Sequence, residues 1–296
     1  MAPVLVTGAE GFVGTHLRAL LGDHAVSANV DVLDPGAIAS EVREVQPGAI
    51  VHLAAQSSVA ASWQDVSGVW SVNVIGTVNV LELARSTEPQ PRVLFISTGE
   101  VYGRAEQLPT SETAPLAPLS PYAATKAAAE IACGQLGRRG LDVVVARAFN
   151  HEGPGRDERF AVGSWTRQIA RLEQAGGGVL EVGDLSRERD ISDVRDVCRA
   201  YTLLLDDSVE PGTYNVASGR RVAMKDVVEL LVSFARCPIE VEQRSERTRP
   251  AEIPRMQGDA SRLREATGWQ PEIPLERTLA DALEAARRSV GAGSAA

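Results

Sequence analysis

Residues 7–14 read Thr7-Gly8-Ala9-Glu10-Gly11-Phe12-Val13-Gly14, between an apolar run, Val4-Leu5-Val6, and the start of a helical pattern. Gly8 permits a tight turn, Gly11 lets the backbone approach a ligand, and Gly14 allows close packing of helix on strand. Free amides and the positive dipole end of such a helix favour a diphosphate. A packing turn without a ligand is the alternative, because the G-x-x-G-x-x-G spacing differs from the usual G-x-G-x-x-G. We predict a diphosphate-binding turn directly after the first strand.

Outward from this turn, short apolar runs alternate with helical patterns through the first half of the chain. Runs buried on both faces, each separated from the next by one helix, predict a parallel sheet with helices above and below. The fold class is therefore α/β, a Rossmann-type doubly wound sheet. The predicted strands are 4–6, 24–28, 30–33, 49–53, 92–97 and 142–147.

After Asn150 this regularity weakens, and the second half lacks a long β-α-β series of its own. We predict a large dinucleotide-binding unit over residues 1–155 that also includes about 190–218. The stretches at about 156–189 and 219–290 are predicted to form a small α/β lid that binds substrate, with a cleft beside it. Residues 291–296 are small and featureless and are predicted to be a frayed tail.

The chain has 296 residues and a formal net charge of −9. This balance argues against nucleic acid or an anionic membrane as a partner, since both require basic patches. The absence of an apolar run of about 18 residues predicts no membrane span, and the N-terminus shows no signal-peptide pattern. The three cysteines are widely spaced and lack metal-ligand spacing, so we expect a reduced, cytoplasmic compartment and no metal site.

Two further motifs carry catalytic chemistry. Tyr122 and Lys126 lie four residues apart in Ser120-Pro121-Tyr122-Ala123-Ala124-Thr125-Lys126, which places them on one helical face. An ammonium beside a phenol lowers the pKa of the phenol, so Tyr122 can exchange a proton with a substrate oxygen. Thr98 ends a buried strand at the sheet edge where ligands bind, and its hydroxyl can donate to the same oxygen. Capping of a turn is the alternative role for Thr98.

Five motifs follow one another along the chain: the glycine turn, His52-Leu53-Ala54-Ala55, Asn73-Val74-Ile75-Gly76-Thr77, the strand that ends at Thr98, and the Tyr122/Lys126 pair. In this order they resemble the extended short-chain dehydrogenase/reductases, the NAD-dependent epimerase/dehydratase family, which act on nucleotide sugars. The resemblance implies a bound NAD or NADP that exchanges hydride with a sugar carbon, usually C4, and a homodimer built on the helices at 69–85 and 121–138. Implied cofactor contacts are Gly8, Gly11, Phe12, Val13, Gly14, Leu53, Ala54, Ala55, Asn73, Tyr122 and Lys126.

Within this family, the stretches 147–155, 189–196, 249–254 and 267–271 look most like the GDP-4-keto-6-deoxymannose reductases, with GDP-mannose 4,6-dehydratases next. The resemblance implies that Asn150 contacts the sugar-side phosphate and that Arg189 and Arg249 clamp the nucleotide diphosphate. It also implies that Glu252 accepts the nucleotide ribose hydroxyls. These four residues are the predicted substrate contacts.

The reaction stays open between several readings at this point. Thr98, Tyr122 and Lys126 are the implied catalytic residues, and Glu100 is either an acid/base or a structural anchor. The commonest dehydratases of the family carry an additional acid before that glutamate, where this chain has Gly99, which counts against a TDP-glucose-type dehydratase. The GDP-mannose type keeps only the glutamate, so Gly99 does not count against it. Its longer N-terminal loop with basic residues is absent here, and Gly153-Pro154-Gly155 is reductase-like. We therefore favour a reductase; a 4-epimerase, a GDP-mannose 4,6-dehydratase and a silent binding protein of the same fold remain as alternatives.

The choice between NAD and NADP is also open. The second strand ends at Ala28-Asn29, without the acid that usually selects NAD or an arginine for NADP. Asp31, predicted at the end of the next strand, can accept the adenine amino group instead, and with its neighbour Val32 it completes the predicted cofactor contacts.

Overall fold

The computed structural model describes residues 2–244 and 253–293. Its central sheet has six parallel strands in the order β2-β1-β3-β4-β5-β9. Because β1 lies between β2 and β3, the strand order reverses there and opens a crevice at the carboxyl ends. The predicted Rossmann-type α/β fold is confirmed. The strands are β1 Val4–Thr7, β2 Ala25–Ala28, β3 Ala49–His52, β4 Arg92–Thr98, β5 Val143–Ala148 and β9 Gly212–Val216.

Two smaller sheets lie in the second half of the chain. One has three strands in the order β10-β8-β6, and the other pairs β11 with β7 in parallel. Among these five strands, β7 and β11 match strands that the sequence predicts at 179–182 and 239–242. The strands are β6 Asn150–Glu152, β7 Gly178–Val182, β8 Glu188–Asp193, β10 Arg221–Ala223 and β11 Ile239–Gln243.

Helices cover both faces of the central sheet and form a separate core with the small β11-β7 sheet. Leu17 of α1 and Val197 of α8 belong to the core on one face, and Ile38 of α2 and Val80 of α5 to the core on the other. The separate core contains apolar residues of α7, β7, α9 and α11. The helices are α1 Phe12–Leu21, α2 Pro35–Val45, α3 Val59–Ser62, α4 Val66–Trp70, α5 Gly76–Ser86, α6 Pro121–Gly137, α7 Ala161–Ala175, α8 Val194–Leu204, α9 Met224–Ser233, α10 Ser261–Thr267 and α11 Leu275–Gly293.

The strand predicted at residues 30–33 is wrong. These residues form a turn in which the Asp31 carboxylate accepts a hydrogen bond from the Leu33 amide at 2.9 Å. Asp34 then caps α2 by accepting from the Gly36 and Ala37 amides. Local side-chain acceptors therefore outcompete strand pairing here, and Asp31 lies in the loop after β2 rather than at a strand end.

Two further observations concern the length of helices. Helix α11 continues to Gly293, so its last turn includes residues 291–293 of the predicted tail.

Among the described residues, one helical stretch, Val66–Ser86, is long and apolar enough to cross a bilayer by length and composition. Its inner side packs into the protein, as in a core helix, through the fully buried Val69, Asn73, Val80, Leu81 and Ala84.

Candidate active site

A cleft of about 1380 Å³ lies at the carboxyl ends of the central strands, and its walls include the glycine turn. Gly8 has φ +68°, and a Cβ there would stand 2.8 Å from the Ala54 amide nitrogen. A Cβ at Gly14 would stand 2.5 Å from the Ala9 carbonyl oxygen. Side chains at either position would force the turn apart, so both glycines are required by this backbone.

The residues around the turn fit a dinucleotide. Gly11 is the N-cap of α1, no side chain caps this helix end, and its first turn holds no acidic residue. The positive end of α1 thus faces the cleft beside Phe12 and Val13. Leu53, Ala54 and Ala55 line the same cleft. Asp31 and Val32 line an adjoining cavity of about 370 Å³ together with Gly8 and Ala54.

Asn73 differs from the other predicted cofactor contacts, because it does not line the cleft. It is fully buried, and its side chain accepts from the Gln56 amide at 2.9 Å and donates to the Gln56 carbonyl at 3.2 Å. It also donates to the Thr125 hydroxyl at 3.0 Å. Asn73 therefore ties the loop after β3 to helix α6 and shapes the cleft indirectly.

Helix α6 carries Tyr122 and Lys126 into the cleft. Ser120 caps this helix by accepting from the Ala123 amide, and Pro121 occupies its first position. The Tyr122 amide donates to the Ser62 hydroxyl at 3.2 Å. Lys126 is 2% exposed, and its ammonium donates to the Ile96 carbonyl at 2.7 Å. The first contact anchors the backbone of Tyr122, and the second fixes the Lys126 side chain beside the end of β4.

The pKa values at this site follow from burial. Burial raises the pKa of Tyr122, and the charge of Glu100 raises it further. The Thr98 hydroxyl and the Arg156 guanidinium lower the pKa of Tyr122, whereas Lys126 is not among the groups that act on it. The expectation that the lysine lowers the tyrosine pKa is therefore not met in this structure. Burial also lowers the pKa of Lys126 to about 8, so its ammonium persists at neutral pH.

Thr98 and Glu100 lie beside Tyr122, and both line the cleft. The Thr98 hydroxyl accepts from the Glu100 amide at 3.2 Å, so it does cap a turn, the alternative role considered above. Between them, Gly99 packs on Phe149: a Cβ at residue 99 would stand 3.0 Å from three carbons of that ring. This position accommodates no side chain unless the ring moves.

The predicted substrate contacts fall into two groups. Asn150 begins β6 and Arg189 lies on β8, and both line the cleft. The Arg189 guanidinium donates to the Glu188 and Pro254 carbonyls at 3.0 and 3.4 Å. Arg249 and Glu252 lie outside the described residues, so their predicted roles stay predictions.

His52 and His151 differ in their location, because His52 lies in the core and His151 lines the cleft. His52, 1% exposed, bonds to the hydroxyls of Thr7 and Thr77 at 2.8 and 3.0 Å. Burial lowers its pKa to about 3, so it is a neutral core residue. His151 lines the cleft and bonds through Nδ1 to the Phe149 carbonyl at 3.0 Å.

Sequence reasoning missed three residues of the cleft, Trp63, Glu152 and Arg156. From the sequence, Trp63 is predicted to pack against a helix rather than to stack on a base, yet 54% of it is exposed and it lines the cleft. Glu152 and Arg156 lie within a stretch that reads as a polar loop. Their spacing of four residues was the available signal, and it joins them as an ion pair in the structure.

Comparison with known proteins agrees with this geometry. The family model described as GDP-mannose 4,6 dehydratase matches residues 22–282. The chain belongs to this family. It is 39% identical to the GDP-6-deoxy-D-mannose reductase of Pseudomonas aeruginosa over 93% of this chain and 94% of that protein. The family resemblance predicted from the motifs is confirmed.

Two solved structures of this fold carry a nicotinamide dinucleotide. The structure of RMD from Pseudomonas aeruginosa complexed with NADPH has a TM-score of 0.86 and 36% identity, covering 98% of this chain and all of that one. A Thermus thermophilus UDP-glucose 4-epimerase in complex with NAD has a TM-score of 0.83 and 27% identity, covering 96% of this chain and 99% of that one. Both forms of the dinucleotide thus occur on this fold.

Proposed function

We propose that this protein is an NAD(P)H-dependent reductase that converts the C4 ketone of a GDP-4-keto-6-deoxyhexose to an alcohol. The observation that carries the proposal is the contact between Gly99 and the Phe149 ring beside Thr98, Tyr122 and Lys126. A 4,6-dehydratase must also protonate a leaving hydroxyl, which requires an additional acid. Position 99 admits one only if the Phe149 ring moves, which leaves Glu100 as the one acid of this turn, whereas a simple reduction needs none. The similarity to a GDP-6-deoxy-D-mannose reductase supports the choice of substrate.

The chain supplies every group that the reduction needs except the hydride, which the reduced dinucleotide brings when it is bound. Tyr122 donates its phenolic proton to the ketone oxygen, and the Thr98 hydroxyl donates a hydrogen bond to the same oxygen. Burial raises the pKa of Tyr122, so the phenol retains its proton at neutral pH, as a proton donor must. The phenolate that remains regains its proton from solvent, and the Lys126 ammonium, held by the Ile96 carbonyl, contacts the dinucleotide.

The remaining assignments follow from where residues lie. The dinucleotide diphosphate binds on the first turn of α1, with Leu53, Ala54 and Ala55 opposite. The nucleotide sugar binds between Tyr122 and the elements α7, β8 and α9, which serve as the lid, with Asn150 and Arg189 as contacts. Cys133 and Cys198 are free thiols in the interior, in keeping with a reduced, cytoplasmic compartment.

The proposed homodimer joins helices α4–α5 and α6 of two copies. This surface exposes three large apolar residues, Trp70, Ile75 and Ile131, and water-exposed apolar side chains of this size commonly mark interfaces. We expect Ile75→Glu combined with Ile131→Glu to yield a monomer by light scattering. Leu20→Glu, an equally exposed leucine on α1, is the matched control and should leave the mass unchanged. A wild-type protein that is monomeric at micromolar concentration contradicts the dimer.

The test of the reaction is incubation with NADPH or NADH and a panel of nucleotide 4-keto sugars, followed by absorbance of the reduced nicotinamide. We expect oxidation with GDP-4-keto-6-deoxymannose, and the faster of the two dinucleotides identifies the physiological one. Inversion at C4 of an ordinary nucleotide sugar, without net oxidation, would instead identify an epimerase. Release of water from GDP-mannose would identify a dehydratase.

A further inference from the structure

Glu130 is a buried carboxylate on α6, one helical turn beyond Lys126 and on the same face as Tyr122 and Lys126. It forms an ion pair with the buried Arg147 of β5. One Nη of that arginine donates to Glu130 Oε2 at 2.6 Å, and its Nε lies 3.1 Å from each carboxylate oxygen. Lys126 lines the cleft, whereas Glu130 and Arg147 lie behind its wall.

The same carboxylate accepts a hydrogen bond from the Ser97 hydroxyl of β4. Ser97 stands between Thr98 and Ile96, and the Ile96 carbonyl accepts from the Lys126 ammonium at 2.7 Å. Ser97 also pairs in register with Arg147 of the neighbouring strand. One carboxylate therefore joins α6 to the ends of β4 and β5, and it does so at the residue that separates two groups of the active site.

Further hydrogen bonds fix the orientation of Arg147 and therefore of Glu130. The second Nη of Arg147 donates to the Tyr102 hydroxyl at 2.8 Å and to the Glu112 carbonyl at 3.0 Å. The Tyr102 hydroxyl in turn donates to the Asn215 side chain at 2.7 Å. A connected network of this kind specifies one arrangement of its members. Stability alone is a weak explanation for it, because apolar side chains in place of a buried ion pair are often as stable.

Glu130 also sets the charge around Lys126. Burial lowers the pKa of Lys126, and Cys133 and Glu130 act in the opposite direction. Burial raises the pKa of the Cys133 thiol, so this thiol is neutral where Lys126 titrates. His52 of β3 is neutral as well, and the Phe95 ring 4.7 Å from the Lys126 ammonium carries no charge. Among the described residues, the Glu130 carboxylate is thus the anion that favours the ammonium form of Lys126.

We propose that Glu130 is a positioning residue for the reduction: it holds the end of β4, with Thr98, against α6 and keeps the Lys126 ammonium in place beside the dinucleotide. The inference rests on the proposed function, since it concerns the same reaction. Glu130 acts through Ser97 and Lys126 and not on the substrate itself. A purely structural role makes a different prediction, in which loss of Glu130 lowers stability and leaves the pH dependence of binding and reduction unchanged.

The test follows two quantities from about pH 6 to pH 9: the dissociation constant of NADPH, by nicotinamide fluorescence, and the single-turnover rate constant with GDP-4-keto-6-deoxymannose. In the wild-type chain, binding and rate should both decline above pH 8, where the Lys126 ammonium is lost. Glu130→Gln keeps the shape of the side chain without its charge. Its decline should begin about one pH unit lower, which makes the rate constant about tenfold smaller than wild-type at pH 9 and leaves the two similar at pH 6.

Three variants separate position from charge. Glu130→Asp keeps the charge on a shorter side chain, so its decline should stay near pH 8 while the rate constant falls severalfold. Ser97→Ala removes the hydroxyl and leaves the ion pair, so it should lower kcat severalfold with KM unchanged; it also serves if Glu130→Gln does not fold. Glu173→Gln is the matched control, because Arg287 donates to both of its oxygens, at 2.6 and 2.8 Å, outside the cleft. It should lower Tm and keep the wild-type pH dependence.

Each contrary result has a distinct meaning. A Glu130→Gln chain that melts earlier but declines at the wild-type pH overturns the inference and assigns the ion pair to stability alone. Full turnover by Ser97→Ala overturns the role of the contact with β4. A wild-type chain that reduces no nucleotide 4-keto sugar overturns the proposed function, whereas a shift of the NADPH-binding profile in Glu130→Gln still supports the action of Glu130 on Lys126.

Discussion

Two walls of the cleft differ in how the charged side chains buried there are hydrogen-bonded. In the catalytic wall, formed by Thr98, Tyr122 and Lys126, the buried ammonium has a carbonyl partner at 2.7 Å and the helix that carries it is capped. In the ion-pair wall, formed by Glu152 and Arg156, opposite charges touch without aligned hydrogen bonds. The first wall holds its buried charge in a fixed position, as proton transfer requires. The second leaves buried polar atoms without hydrogen bonds.

The largest expected effect comes from the catalytic wall. Tyr122→Phe removes the proton donor and should lower kcat by ~10²–10⁴-fold, the usual contribution of general acid catalysis. The NADPH dissociation constant should not change, because the ring and its packing remain. Tyr201→Phe is the matched control: it removes a buried hydroxyl that has no hydrogen-bond partner, and activity should persist. Full turnover by Tyr122→Phe would contradict the assignment of the donor.

The next effect is on stability and belongs to the ion-pair wall. Burial raises the pKa of Glu152 from 4.5 to about 7, so the folded state holds its proton more tightly than the unfolded state. Both states are protonated below pH 4.5, and above pH 7 the ionised carboxylate costs the folded state up to roughly 3 kcal/mol. Glu152→Gln, which does not ionise, should raise Tm at pH 8 but not at pH 4.5.

Thermal unfolding of Glu158→Gln at the same two pH values is the control, because that carboxylate is half exposed in the same loop. Its Tm should follow the wild-type value at both. A Glu152→Gln variant that melts below wild-type at pH 8 would mean that the ion pair is net stabilising, and the contrast between the two walls would then disappear.

The smallest effect is a pH dependence set by Lys126. Burial lowers its pKa to about 8, so the ammonium that contacts the dinucleotide in the proposed reaction is present below pH 8 and lost above it. The rate constant for reduction, measured in single turnovers, should fall about tenfold for each pH unit above 8. Lys126→Met should be slow at all pH values without this decline, and Lys225→Met, on the exposed face of α9, should retain it. A decline that persists in Lys126→Met would belong to another group.

Prediction from the sequence succeeded where the local backbone conformation restricts which residue type can occupy a position. Gly8 and Gly14 were predicted from the spacing of glycines after a strand, and the structure shows that neither position has space for a Cβ. Tyr122 and Lys126 were predicted from their helical spacing, which places them together. It failed at residues 30–33, where a strand-like apolar pattern yields to the Asp31 and Asp34 side chains. It also failed for Trp63, because the exposure of an indole depends on which distant segments of the chain pack against it.

By itself, then, the sequence determined the sheet, the glycine turn and the placement of Tyr122 and Lys126 on one helical face, because these depend on periodicity and on contacts between near neighbours. Only the tertiary structure decided which side chains meet across the cleft. The Phe149 ring, directly after β5, packs against Gly99 at the end of β4. The Arg156 guanidinium contacts the Phe12 ring, more than a hundred residues earlier in the chain. Both are steric and electrostatic contacts between distant segments, and no local pattern encodes them.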